Sequence, residues 1–363
     1  MKKYKKVVLI VLISGFFFSL IGYQFFGVYF SEAKRFREFG EVTVEADFKL
    51  DGRGRNIDSL AFWENSNRKK TLLFVTAKGN ERVEVWKYPF KGNERSSIGV
   101  DGRPNGVAVD QKNNELFVTD SINREVIVYS LPDREELRRF GSGIIGEGEN
   151  SIDIYHWKRR GRDQVWAYVT DDENVYAFDA EAGDLEETFD NLSNRSIETI
   201  MVDSYHKAIY VPEEDGGDAR KPGVFAYKPD GRKYNYKGKN YFGRKDVFDR
   251  DEEGITMYKC LDSNDKDNGR GFIIVSDQRG SETDFEFFDR IKWRHLGTLK
   301  IKGVGGTDGI ASIQDSLRGY SEGLFAAVDD DRKVAIVGWD TILEATGLDC
   351  DKDWDPDTDL FIE

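Results

Sequence analysis

Apolar and polar positions along this 363-residue chain fall into short runs, and the runs recur. Six times the order is the same: an oxygen-bearing residue, a short apolar run, a turn, a strongly apolar strand, a polar loop, and an aromatic or β-branched strand. The first unit is Asp58, then Leu60–Trp63, Leu72–Val75 and Val83–Trp86. The second opens on Asn105 and continues through Val107–Val109, Leu116–Val118 and Val126–Tyr129. The third has Asn150, Ile152–Tyr155, Trp166–Val169 and Val175–Phe178. The fourth has Glu198, Ile200–Val202, Ala208–Val211 and Val224–Tyr227. The fifth has Asp251 and Glu253, Ile255–Tyr258, Phe272–Val275 and Phe285–Phe288. The sixth has Asp308, Ile310–Ile313, Leu324–Ala327 and Val334–Val337. Successive second strands lie about 42 to 64 residues apart, the spacing of propeller blades. Helical periodicity is nearly absent, its best stretch being Thr341–Thr346. Short, evenly spaced strands fit a sandwich, a barrel or a propeller, and a unit of three to four strands favours an all-β, six-bladed β-propeller over residues 41–346. The fourth strand of each unit is hard to read. A strand around Val44 is expected to close the ring by pairing into the last blade, which removes an exposed edge.

The N-terminus has a different pattern. Lys2, Lys3, Lys5 and Lys6 flank an almost wholly apolar run from Val7 to Phe30. About 24 residues make a helix of about 36 Å, enough for a hydrocarbon core of about 30 Å. The lysines should stay cytoplasmic, which places the remainder outside the cytoplasm. The segment ends in Gly27-Val28-Tyr29-Phe30-Ser31, without a clear small-residue cleavage site. Residues 1–34 therefore read as an uncleaved membrane anchor in preference to a signal peptide that is removed to release a secreted protein.

Charge narrows the partners. A third of the residues are charged and the formal net charge is −14. That argues against nucleic acid and leaves room for cations. Three histidines, His156, His206 and His295, are too few for chemistry needing several imidazoles. The two cysteines, Cys260 and Cys350, are in an exported chain either a disulfide or two separate buried thiols. Asn191 and Asn194 stand in glycosylation-type triplets.

Candidate chemistry lies at the start of each unit. Alternate residues of an extended chain point to one side, so Asp251 and Glu253 should converge. In a propeller the residues before each first strand crowd the mouth of the central channel. Asp58, Asn105, Asn150, Glu198, Asp251, Glu253 and Asp308 would meet there, with Glu213-Glu214-Asp215 near the same face. Two carboxylates about 4 Å apart repel by about 4 kcal/mol at an effective dielectric of 20. Water, protons or cations must offset that, and Ca2+ suits an irregular ring of oxygen donors better than Mg2+.

These motifs resemble those of the β-propeller phytases, six-bladed calcium-dependent phosphatases acting on inositol hexakisphosphate. The resemblance runs from Asp58 to Trp339. It is densest at Asp251-Glu252-Glu253-Gly254-Ile255-Thr256-Met257-Tyr258, similar to the family's D-x-E-G-[LI]-T-x-Y. Glu198-Thr199, Ile209–Asp215, Thr307-Asp308-Gly309-Ile310, Gly323–Asp329 and Asp58 with Ala61 and Trp63 resemble further family motifs in the same order. The resemblance implies that Asp58, Glu198, Glu214, Asp251, Glu253 and Asp308 hold calcium. It also implies that a calcium-bound water attacks the phosphate, with Asp251, Glu253 and Glu198 as the catalytic carboxylates. Lys78 and Arg124 stand where the family places phosphate-binding cations. A monomeric propeller follows.

The chain departs from the family at Ser59, Asn150, Asp171 or Asp172, and Val328, where a second acid, a tyrosine, a lysine and a glutamine are usual. A smaller phosphomonoester, or no activity, is therefore open. Gly102-Arg103-Pro104-Asn105-Gly106-Val107-Ala108-Val109-Asp110 resembles NHL-type and gluconolactonase-type propellers instead. That leaves a calcium-dependent lactonase or a non-catalytic binding propeller as alternatives. The acidic tail of residues 347–363 resembles D-x-D-x-D calcium loops but lacks the glycine and terminal glutamate of an EF-hand. It and Asp262–Asp267 are expected to be surface segments with weak or no metal affinity.

Overall fold

In the computed structural model the described residues are 36–52, 55–65, 70–90, 95–159, 161–189, 197–212, 223–243, 247–248 and 251–350. The expected membrane segment, Glu214, both glycosylation-type asparagines and the tail beyond Cys350 lie outside them. No described helix is long and apolar enough to cross a membrane.

Two strands, β1 (Gly40–Val44) and β2 (Phe48–Asp51), precede the blades. The first blade is β3 (Ile57–Trp63), β4 (Leu72–Ala77), β5 (Arg82–Lys87) and β6 (Arg95–Gly99), in spatial order. The second is β7 (Pro104–Asp110), β8 (Glu115–Asp120), β9 (Glu125–Ser130) and β10 (Glu136–Phe140). The third is β11 (Ile152–Arg159), β12 (Arg162–Thr170), β13 (Val175–Asp179) and β14 (Leu185–Phe189). The fourth is β15 (Met201–Asp203), β16 (Ala208–Pro212), β17 (Val224–Tyr227) and β18 (Tyr241–Phe242). The fifth is β19 (Asp251–Leu261), β20 (Asp267–Gln278), β21 (Thr283–Asp289) and β22 (His295–Ile301). The sixth is β23 (Ile310–Ile313), β24 (Leu324–Asp329) and β25 (Lys333–Gly338), followed by a short helix, α1 (Trp339–Thr346). Among strands β3 to β25 every pairing of described neighbours is antiparallel, and β23 packs on β3 to complete the ring. The all-β, six-bladed propeller expected from the repeat is the fold.

Ring closure differs from expectation. Val44 belongs to β1, which lies parallel to β22 and adds a fifth strand to the fifth blade, with Val44 opposite Ile301. The sixth blade is closed by β2, antiparallel to β25, with Phe48 opposite Ile336. Asp47 sits at the crossing, where its Oδ2 accepts the Gly338 N–H at 2.7 Å. One N-terminal passage therefore covers two outer edges, because adjacent blades each present an unpaired strand there.

The core lies between blades. Phe285, Phe325 and Trp339 pack across the fifth and sixth, with ring centroids 5.4 Å and 5.8 Å apart for the successive pairs. Phe36 joins them ahead of the expected boundary, edge-on to Phe272 at 4.5 Å. Leu348 packs into the same cluster, and Cys350 forms a disulfide with Cys260, their Cα atoms 5.3 Å apart. Fourth strands escaped the sequence pattern because they are mostly solvated, as in the exposed-to-buried order of Glu136–Phe140.

The Asp262–Asp267 turn is only partly a surface segment. Asp262 caps it by accepting the Asn264 and Lys266 N–H groups at 2.7 and 3.0 Å. Asp267 instead accepts two bonds from Arg290, at 2.7 and 2.9 Å. The fully buried Arg290 also donates to both oxygens of buried Asp203, at 2.7 and 2.6 Å, tying the fifth blade to the fourth.

Candidate functional site

A local device repeats where the innermost strands begin. Register shifts interrupt the pairing between Ile57 and Leu60, Pro104 and Val107, and Glu252 and Ile255. In each bulge a backbone N–H turns to a hydroxyl on the second strand. Ser59 N–H donates to Thr76 Oγ1 at 2.9 Å, Gly106 N–H to Thr119 Oγ1 at 2.7 Å, and Gly254 N–H to Ser276 Oγ at 2.7 Å. Ser151 N–H donates to Thr170 Oγ1 at 2.8 Å in the third blade. Bulges re-aim side chains, and here they present the preceding residue to the channel. Val328 occupies the corresponding position in the sixth blade, where Thr307 Oγ1 donates to its carbonyl instead, at 2.8 Å. The glycines of these motifs have a packing role. A Cβ on Gly309 would stand 2.1 Å from the Asp58 carbonyl oxygen, and one on Gly106 would stand 2.6 Å from that of Asn150.

The bulges open onto a channel cavity of about 190 Å³ whose lining includes Asp58, Glu149, Glu198, Glu253 and Asp308. Four of these five acids were expected from sequence. Asp251 is the exception among the described residues. The bulge between Glu252 and Ile255 breaks the simple alternation, so Glu253 lines the cavity and Asp251 does not. Buried Asn105 and Asn150 hold the mouth beside them, through Asn105 Nδ2 to Glu149 at 3.3 Å and Asn150 Nδ2 to the Thr170 carbonyl at 2.9 Å. Among the described residues neither Asn105 Oδ1 nor Asn150 Oδ1, both buried, finds a hydrogen-bond donor.

Lys78 is not directed at the open cavity. Its buried ammonium lies 2.5 Å from Asp58 Oδ2 and also pairs with Glu149. Burial opposes its charge, but Asp58 and Glu149 outweigh burial and raise its pKa. Arg103 approaches Glu149 from the other side at 3.1 Å. Glu149 was not singled out from the sequence, although it immediately precedes Asn150. Arg124 does not line the cavity; its half-exposed guanidinium lies 3.9 Å from Glu147. Asp171 is a loop cap, accepting the N–H groups of Gly146, Glu173 and Asn174 at 3.2, 2.9 and 2.7 Å.

The acids strain against one another. Burial raises the Asp58 pKa, Lys78 opposes the rise, and Glu149 and Asp331 add to it. Burial, then Asp58 and Asp331, push Asp308 up to about 8, with Gln278 donating to its Oδ1 at 2.6 Å. Deeper in the cavity, burial lifts Asp153 to about 6, against N–H bonds from Val202 at 2.6 Å and Ile154 at 2.7 Å. Glu149 moves the other way: burial would raise its pKa, but Lys78, with Arg103 and Asn105, lowers it.

An oxygen-only donor set with unpartnered buried amide oxygens and mutually repelling acids fits a hard cation. Among the described residues no three acidic, histidine or cysteine side chains are already gathered on one ligating point. Lys78 supplies positive charge to two of the acids.

No family model matches the chain, and no curated protein matches it. Among solved structures it is similar to hydrazine synthase from Kuenenia stuttgartiensis, at 12% identity and a TM-score of 0.50, covering 84% of this chain and 81% of that one. It is also similar to U3-55K, at 13% identity and a TM-score of 0.48, covering 80% of each. At such identity the likeness to the hydrazine synthase chain is one of fold, and it supports the propeller architecture alone.

Proposed function

We propose that this chain is an exported, membrane-anchored phosphomonoester hydrolase that works with Ca2+ at the mouth of its central channel, inositol phosphates such as phytate being the leading substrate class. One observation carries the reading. Acids from separate blades and blade connections, Asp58, Glu149, Glu198, Glu253 and Asp308, line one small cavity, where burial and neighbouring acids raise the pKa values of Asp58 and Asp308. Asp58, Glu198, Glu253 and Asp308 would hold the cation, joined by Glu214 and Asp251 if the phytase resemblance extends to them. Calcium would neutralise phosphate charge and acidify an attacking water. The chain's own residues do the remainder. Glu253 and Glu198 orient the water and accept its proton. Lys78 and Arg103, both paired with Glu149, would have to exchange that carboxylate for a phosphate oxygen to bind one.

A calcium-dependent lactonase is the second reading, and one observation favours it. Both of those cations are already committed to carboxylates, and Arg124 stands off the cavity, an arrangement better suited to a neutral substrate than to a polyanion.

The test is a chelator titration of the purified full-length chain followed by calcium add-back. Melting temperature, phosphate release from phytate and p-nitrophenyl phosphate, and lactone opening are read together. Calcium-restored phosphate release that collapses in Glu253→Gln supports the proposal. Lactone opening without phosphate release selects the second reading. Indifference of both stability and activity to chelator removes the calcium site.

A further inference from the structure

The face opposite the acidic mouth carries a second cavity, of about 820 Å³, between the third and fourth blades with a contribution from the second. Its size falls in the range of about 300–1,000 Å³ usual for small-molecule sites. Its charge is the reverse of the chain's. Lys112 comes from the β7–β8 turn, Lys207 from the β15–β16 turn and Lys228 from the end of β17. None of the three has an ion-pair partner among the described residues. The two acids in the lining each have a cation of their own nearby, Asp230 with Arg232 at 2.7 Å and Asp163 with Lys158 at 3.8 Å. Three lysines without an ion-pair partner among the described residues thus line one hollow in a chain of net charge −14.

The walls add a second kind of recognition. Half-buried Trp157 is held edge-on against Trp166 at 4.6 Å, and half-buried Tyr234 packs on Trp293 at 5.8 Å. Rings held by neighbouring aromatics lose less freedom when a ligand packs on them.

We infer that this cavity binds an acidic carbohydrate. The carboxylate or phosphate would meet Lys112, Lys207 and Lys228, and the apolar face of a sugar ring would lie on Trp157 or Tyr234. The site involves none of the mouth residues and does not depend on calcium.

Titration calorimetry on the full-length chain tests it with trigalacturonic acid as the probe. Its methyl ester, with the same rings and no charge, and AMP, an anion with a different flat face, are the comparisons. Trigalacturonic acid should bind in the submillimolar range, and the ester at least about tenfold more weakly. The Lys207→Glu/Lys228→Glu double variant should lose at least about tenfold in affinity, and Trp157→Ala should also weaken binding. Lys207 is exposed and Lys228 half-exposed, so an unchanged melting temperature is expected for the double variant, and Lys112→Glu gives an independent reading. EDTA and Glu253→Gln should leave affinity unchanged, so failure of the phosphatase reading does not touch this one. No binding up to about 10 mM, equal binding of acid and ester, or affinity unmoved by the lysine reversals overturns the inference. Preference for AMP over trigalacturonic acid overturns the carbohydrate assignment.

Discussion

Replacing Asp308 by Asn separates repulsion from cation binding, because the sign of the effect depends on what fills the channel mouth. Asn keeps the shape and the oxygen that accepts from Gln278 at 2.6 Å, and it removes the charge facing Asp58 and Asp331. Folding raises the Asp308 pKa from 3.8 to about 8. Between those values the folded state holds a proton that the unfolded state releases, so wild-type stability falls as pH rises through that window. The Asn variant carries no such proton, and its advantage is absent near pH 4 and full above pH 8. One proton held over a window of about four pH units corresponds to at most about 5 kcal/mol, and sharing of charge among neighbouring acids reduces it to about 2–4 kcal/mol. Urea unfolding in EDTA at pH 4.5 and pH 8.5 reads this as a midpoint shift that grows with pH. In saturating calcium the order should invert, since the variant lacks a donor and mass action then favours wild type. A variant no more stable than wild type at pH 8.5 in EDTA would refute the claim that these acids repel. A stabilised variant with no inversion in calcium would keep the repulsion and discard Asp308 as a ligand.

Two predictions concern the frame. Arg290→Ala leaves the carboxylate of Asp203 buried without its partner and should cost about 3–5 kcal/mol in urea unfolding, whereas Arg290→Leu combined with Asp203→Leu should recover most of that. An equal loss in both variants would mean that packing, not the uncompensated charge, sets the cost. Cys260→Ser/Cys350→Ser opens a link spanning 90 residues and should destabilise by about 4–5 kcal/mol on the chain-entropy account, with wild type falling to the same level under reductant. Identical unfolding midpoints with and without the link would show that ring closure by β1 and β2 already supplies that constraint.

Much of this architecture is written in one dimension. Period and strand pattern depend on neighbouring residues, so six units, their inner strands and the helix near Thr341–Thr346 can be read directly. The acids at Asp58, Glu198, Glu253 and Asp308 could be placed at the mouth because each directly precedes or begins an inner strand, and strand direction then sets the face. The cysteines left two alternatives open; only the fold brings Cys260 and Cys350 together across 90 residues. The partnership of β1 with β22 and of β2 with β25 was likewise decided by which blade edges remain unpaired, a property of the closed ring. The bulge after Glu252 overrode the two-residue alternation that should have set Asp251 beside Glu253, because a side-chain hydroxyl on the neighbouring strand competes for the backbone N–H. Lys78 has a loop position that suits phosphate, yet burial next to Asp58 and Glu149 makes it their counter-ion. Burial and charge pairing are sums over groups far apart in sequence, which is why four of the five acids Asp58, Glu149, Glu198, Glu253 and Asp308 were legible and their electrostatic state was not.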